Sequence, residues 1–193
     1  MKLSDYVIHF LADLGLKEVF VLTGGYAVNL IDSFHKEPRL KLVCVHHEQA
    51  GAMAAEAYSR FAGFGAMIST NAPGALNLLS GIDGAWNDSI PCIFICGQVK
   101  RERWDRSMEV FSHGREIVDM VTIAGSITKY TQYVEDPRKI RYYLEKAISI
   151  AKEDRPGPVL LEIPLDVQKA NIEPETLIGF SPNPKLSLAP SEY

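Results

Sequence analysis

The sequence predicts an α/β protein: a doubly wound, mostly parallel sheet with helices on both faces, in a single domain. Three observations predict it. Short apolar runs of strand length alternate with segments whose apolar residues follow a helical period. Those runs are apolar at nearly every position, as strands covered on both faces require. The length, 193 residues, suits one such domain with a substantial core.

The elements follow in order. Residues 4 to 15 place Val7, Ile8, Phe10, Leu11 and Leu14 at helical spacing, with Ser4 as the expected N-cap and Gly15 as the stop. Glu18-Val19-Phe20-Val21-Leu22 reads as a buried strand, and Thr23-Gly24-Gly25 as a tight turn into a helix from about Ala27 to His35. The pattern then repeats as strand 41–45, helix 48–61, strand 65–69, helix 74–86 and strand 91–96. The strand Leu42-Val43-Cys44-Val45 has no room for a charge and is expected to be central. After Gly97 the pattern loosens into a polar loop over 100–115 and a short helix near 116–123. Asp136-Pro137 opens a helix through about Ala151, with Ile140, Leu144, Ala147, Ile148 and Ala151 on one face. Val159-Leu160-Leu161-Glu162-Ile163 is the last strand, ended by Pro164. From Glu173 onward Pro174, Pro182, Pro184 and Pro190 interrupt a stretch with no amphipathic period, which reads as a linker.

Composition narrows the function classes. The chain is 47% hydrophobic and 23% charged with a net charge of −4, which gives no reason to expect nucleic acid as a partner. Its one basic cluster, Lys100-Arg101-Glu102-Arg103-Trp104-Asp105-Arg106, is interrupted by acids and reads as a solvated loop. Cys44, Cys92 and Cys96 lie in apolar runs, which points to core packing in a reducing compartment. No apolar run has the length to cross a membrane, and the N-terminus has no signal-peptide pattern, so a cytoplasmic location is expected.

Three turns follow strands and so gather at one sheet edge: Thr23-Gly24-Gly25-Tyr26, His46-His47-Glu48, and Asn71-Ala72-Pro73-Gly74-Ala75-Leu76-Asn77. Ligands of open α/β sheets bind at that edge. Glycine lets backbone approach a ligand, and a helix N-terminus offers free N–H groups. Glu48 stands where an apolar strand gives way to an Ala-rich helix, so a partly buried carboxylate there is placed to exchange a hydrogen bond or a proton with a ligand. The alternative is that Glu48 only complements the helix dipole. Gln98, after the strand ending Cys96-Gly97, points to the same edge as a reader of a ligand's polar rim or as a solvated amide. His46 and His47 face opposite ways on a strand and do not suit one metal ion; His113 is a surface residue or a substrate contact. No Gly-x-Gly-x-x-Gly or Walker loop is present, which argues against a nucleotide-phosphate site and a flavodoxin-like binder.

These residues resemble a known family. His47-Glu48-Gln49-Ala50, Ala72-Pro73-Gly74-Ala75-Leu76-Asn77, Asp88-Ser89-Ile90-Pro91, Gly97-Gln98-Val99 and Arg155-Pro156-Gly157-Pro158-Val159 are similar to the pyrimidine-binding domain of thiamine diphosphate-dependent enzymes, in the acetolactate synthase-like group. Within that group, Thr23-Gly24-Gly25, His46-His47-Glu48-Gln49-Ala50 and Asp166-Val167-Gln168 resemble members associated with surface-polysaccharide sugar biosynthesis. The likeness covers residues 1–172, with 173–193 as a Pro-rich linker toward a central domain. It implies thiamine diphosphate as cofactor and Glu48 as the catalytic residue. In the family the matching glutamate hydrogen-bonds N1′ of the aminopyrimidine and favours the imino tautomer that activates the thiazolium for attack on a 2-oxo acid. The expected cofactor-binding set is Gly24, Gly25, Glu48, Pro73, Asn77 and Gln98.

Two departures stand out: Ala72-Pro73-Gly74 replaces a frequent Gly-Pro-Gly, and Arg115-Glu116-Ile117 stands where the synthases carry Gln-Glu. The family binds Mg²⁺ and the diphosphate through a Gly-Asp-Gly motif on a C-terminal domain. Gly81-Ile82-Asp83-Gly84 is not that motif and lies within an expected helix. The resemblance therefore implies a piece of a larger 2-oxo acid decarboxylase or ligase, or one subunit of a split enzyme, with Mg²⁺ held outside this chain. A non-catalytic binding or assembly module is the competing expectation. A homodimer or homotetramer is also expected, with Ala50, Ala54, Ala55 and Ala57 small enough for close helix packing.

Overall fold

A computed structural model describes residues 1–104, 114 and 117–182. Its centre is a six-stranded, wholly parallel sheet in the order β2-β1-β3-β4-β6-β5. The strands are β1 (Glu18–Val21), β2 (Lys41–Cys44), β3 (Gly65–Ser69), β4 (Cys92–Gln98), β5 (Tyr130–Tyr133) and β6 (Val159–Pro164). The α-helices are α1 (Leu3–Asp13), α2 (Val28–Asp32), α3 (Glu48–Ala62), α4 (Leu79–Asn87), α5 (Met120–Ala124), α6 (Ile140–Lys152) and α7 (Leu165–Gln168).

Strand periodicity divides the core in two. Ala66 and Ile68 of β3, Ile93 and Ile95 of β4, and Val159, Leu161 and Ile163 of β6 face one layer, with Leu3, Val7, Leu11, Leu144 and Ile148 from α1 and α6. Met67, Phe94, Cys96 and Leu160 face the other, with Ala52, Ala55, Ile82 and Ala85 from α3 and α4. Period-two side chains on strands that are apolar throughout give a sheet wrapped on both faces, the expected doubly wound architecture.

Several local expectations are corrected. β2 is an edge strand, paired among the described residues with β1 alone, and Cys44 on it is exposed. An apolar run of four residues is compatible with an edge as well as a centre, because it carries no record of how many neighbours it has. Cys92 and Cys96 are buried, and burial pushes the Cys92 thiol up to about 12, so both pack as inert apolar groups. The first helix begins at Leu3 with Lys2 at the N-cap; Ser4 is instead buried and its hydroxyl accepts from Ser33 at 3.0 Å. The segment expected as one helix over 27–35 is a short α-helix flanked by 3-10 turns at Gly25–Ala27 and Ser33–Lys36. β5 lies in a stretch the sequence left unassigned; its polar Thr131 and Gln132 obscure the apolar signal because it too is an edge strand.

The packed body runs past residue 172. Leu177 joins the core, Phe180 sits edge-on to Tyr142 with centroids 5.5 Å apart, and the Phe180 amide donates to Glu145 at 2.6 Å. His113, Arg115, Glu116 and the prolines Pro184 and Pro190 lie outside the described residues, as do Asp105 and Arg106 of the basic cluster. The described part of that cluster is not simply solvated. Arg101 bonds Asp166 through Nε at 2.7 Å, Arg103 donates to the Tyr26 hydroxyl at 3.2 Å, and Trp104 is buried. No helix among the described residues is long and apolar enough to cross a membrane.

Candidate functional site

The chain reverses direction across the sheet between β1 and β3: β2 lies on one side of β1, and β3 with all later strands on the other. At such a switch point the loops leaving neighbouring strands diverge and open a crevice at their carboxyl ends. Here the loops after β1, β2 and β3 border it.

Glu48 begins α3. The chain enters the helix through His47, extended at φ −155° and ψ 137°, whose Nδ1 accepts from the Gln49 amide at 3.2 Å. That contact makes His47 the N-cap, and both His46 and His47 are exposed. One residue later the Glu48 side chain turns inward and is only 7% exposed. Its Oε2 accepts from Asn77 Nδ2 at 2.9 Å, and among the described residues Oε1 receives no hydrogen bond. Oε1 instead lies against the Gly74 backbone, where a Cβ would come within 2.7 Å of it. A Cβ at Gly74 would therefore displace the carboxylate from this position.

The loop after β3 carries that contact. The Ala72–Pro73 peptide is cis, and Ala75–Leu78 follow as a 3-10 turn in which the Asn77 amide donates to the Gly74 carbonyl at 3.1 Å. Pro73 and Asn77 are exposed on this turn. The loop after β1 reaches the same place, since the Tyr26 amide donates to Thr70 Oγ1 at 3.3 Å. Gly24 is packed so closely on the Thr70 side chain that a Cβ there has no room, whereas Gly25 borders open space. Gln168 of α7 holds this turn from behind, donating from Nε2 to the Tyr26 carbonyl at 2.7 Å and to the Ile163 carbonyl at 2.8 Å. The sequence singled out Asp166-Val167-Gln168 without seeing this latch.

Gln98 behaves differently from the expectation of a rim residue. It is wholly buried. Its Nε2 donates to Glu162 Oε1 at 2.9 Å and to the Val118 carbonyl at 3.2 Å, and its Oε1 accepts from the Val99 amide at 2.8 Å and from Asn71 Nδ2 at 3.3 Å. All four hydrogen-bonding sites of the amide are used inside the protein. Glu162, in the middle of an otherwise apolar strand, was the signal for this network that the sequence contained and that reasoning from apolar runs passed over.

The structure thus brings Gly25, Glu48, Pro73, Gly74 and Asn77 to one crevice and places Gly24 and Gln98 in its supports. Among the described residues no three His, Cys, Asp or Glu side chains converge as a metal site.

Residues 1–123 match the family model described as thiamine pyrophosphate enzyme, N-terminal TPP binding domain. The chain is 34% identical over 90% of its length to acetolactate synthase 2, chloroplastic, of Nicotiana tabacum, covering 26% of that protein. It is 33% identical over 88% of its length to the acetolactate synthase large subunit of Haemophilus influenzae, and 36% identical over 91% to that of Parasynechococcus marenigrum, covering 29% of each. The chain therefore spans under a third of the length of these relatives.

Proposed function

The chain belongs to the thiamine pyrophosphate enzyme family through its N-terminal TPP-binding domain, and on that premise we propose that Glu48 is the residue by which it activates thiamine diphosphate. One observation carries this reading. Glu48 is a nearly buried carboxylate at the mouth of the switch-point crevice, with one oxygen bound by Asn77 and the other receiving no hydrogen bond among the described residues. The oxygen without a donor is not among the buried, unpartnered polar atoms and so keeps contact with solvent at the crevice mouth, where a donor brought by a ligand can reach it.

The donor set fits an aminopyrimidine. Its ring N1′ offers or shares a proton with a carboxylate in the ring plane, and the open space beside Gly25 together with the exposed Pro73 leaves room for a flat ring. Bound thiamine diphosphate would supply the carbon nucleophile for attack on a 2-oxo acid. Glu48 would hold a hydrogen bond or proton at N1′. Gly74 keeps that carboxylate in place by having no side chain, and the Thr70 and Gln168 contacts fix the Gly25 turn against which the ring would rest. Mg²⁺ and the diphosphate are assigned to residues beyond this chain, with the pyrimidine-binding domain extending past residue 172 through the packed Leu177 and Phe180, and the Pro-rich stretch after them the linker toward a central domain. The parent activity is decarboxylation, carboligation or both, acting on a 2-oxo acid, in line with the acetolactate synthase relatives.

Self-association, as a homodimer or homotetramer, belongs to the same reading. Ala50, Met53, Ala54, Ala57 and Phe61 share one outward face of α3, and Phe61 is 94% exposed. Ala55, expected on that face, is buried against the sheet. Sedimentation velocity should show a dimer that Phe61→Glu weakens.

The decisive test is Glu48→Gln in the complete enzyme. The amide is nearly isosteric, so the fold is kept, but exchange of the cofactor's C2 proton should slow by a factor on the order of 10²–10⁴. Exchange at the unaltered rate, followed by NMR, rules out the assignment.

A further inference from the structure

We propose that Asn77 is a positioning residue that acts through Glu48: its amide fixes the carboxylate so that Oε1 is the oxygen presented to a ligand. The inference rests on the reading of Glu48 given above. It departs from the sequence expectation that Asn77 touches the cofactor itself.

The geometry points this way at three levels. The Asn77 backbone is anchored, its N–H donating to the Gly74 carbonyl at 3.1 Å and the next residue, Leu78, being fully buried. From that fixed base Nδ2 reaches Glu48 Oε2 at 2.9 Å. An ionised carboxylate only accepts, so the amide must turn its nitrogen toward it, and Oε2 is thereby occupied. The other oxygen lies over Gly74, where the missing Cβ leaves it space. A glutamate side chain has three rotatable bonds; held at Oε2 on one side and resting on Gly74 on the other, it keeps a single orientation. A ligand N–H or a shared proton then meets Oε1 without first ordering the side chain. The three residues Glu48, Gly74 and Asn77 come from two loops on either side of the switch point, so the device also ties the loop after β3 to the start of α3.

A double-mutant cycle on the 193-residue chain tests the proposal, with 4-amino-2-methylpyrimidine as probe and binding followed by amide chemical shifts, which also report the fold. Asn77→Ala should weaken the probe about tenfold, the scale of one hydrogen bond to a charged group. Glu48→Ala should weaken it at least as much, and Glu48→Ala/Asn77→Ala should be no weaker than Glu48→Ala alone. Asn77→Gln, which keeps a donor, should recover part of the loss. Additive losses mean that Asn77 contacts the ligand directly and overturn the proposal, as does an Asn77→Ala variant that binds normally. If Glu48→Ala binds the probe unchanged, the reading of Glu48 fails. The positioning claim is then decided in the ligand-free chain. There the Glu48 carboxyl ¹³C signal and side-chain couplings must change in Asn77→Ala if Asn77 orients the carboxylate, and their constancy overturns it.

Discussion

The carboxyl edge of the sheet has two halves that treat their polar groups in opposite ways. Beyond β1, β2 and β3 the loops leave Gly25, Pro73 and Asn77 exposed and a glutamate oxygen without a donor among the described residues. Beyond β4 and β6 the polar groups are sealed: Asn71, Gln98 and Glu162 form a buried chain in which Gln98 uses every donor and acceptor it has. Both halves contain a buried carboxylate, Glu48 and Glu162, so burial alone does not mark the site. The difference lies in strand order. β4 and β6 are neighbours in mid-sheet, whereas β1 and β3 flank the reversal of strand order, where the loops diverge. Asn71 is the joint between the halves, leaving β3 toward the crevice while its amide reaches back to Gln98.

Variants on the two sides should therefore separate stability from binding. The largest effect is expected for Gln98→Leu, which strips a donor from Glu162 and orphans the Val99 amide. Urea denaturation should show a loss of about 3 kcal/mol. A loss below about 1 kcal/mol would break the comparison by making the sealed half dispensable. Gly74→Ala comes next. The added methyl must displace Glu48 Oε1 or Thr70, which lies 2.9 Å from it, at a cost of about 1–3 kcal/mol in thermal unfolding, with the Asn77 side-chain amide signal shifting as its partner moves. Glu48→Gln should change the stability of the chain by only about 0.3–1 kcal/mol, because it loses mainly a charge at a helix N-terminus. A larger loss would mean that Glu48 belongs to the scaffold after all.

The smallest effect at the carboxyl edge should come from its opposite pole. Glu37, just before β2, is held at about 2 rather than 4.5 by hydrogen bonds from Arg39 and then His9. A lowered folded-state value means that this contribution to stability is complete above about pH 4.5 and is lost as the pH falls toward 2. Glu37→Gln should flatten that acid limb in pH-dependent unfolding and leave aminopyrimidine binding untouched.

Much of this was legible in the sequence, for reasons that differ by residue. β3, β4 and β6 stand out because strands buried on both faces are apolar at nearly every position, and the start of α3 at Glu48 is where the strand ahead of it breaks. β5 was not legible, because an edge strand half open to water carries polar residues and loses the contrast that marks its neighbours. The edge position of β2 was hidden for the complementary reason: Leu42 and Val43 are apolar although only half buried, and Cys44 is exposed. The crevice was legible as a set of turns, since glycines and prolines mark loops. The roles within it were not. Whether Gln98 faces a ligand or a buried glutamate, and whether Asn77 touches a cofactor or a side chain, depends on which strands are neighbours, and local sequence does not record that.

The edge position of β2 also has a kinetic meaning. Four residues joined to one neighbour are, like β5 at the other edge, weakly held, and the amides of β2 should exchange with solvent through openings far smaller than global unfolding. α3 would not follow, because Ala52 and Ala55 are locked into the opposite core layer. Residues 44–47 then act as a tether between a strand that breathes and a helix that does not, and Glu48 sits on the stationary side of it. Hydrogen exchange should show fast β2 amides ending sharply at the first turn of α3, so that the carboxylate keeps its place while the strand before it opens and closes.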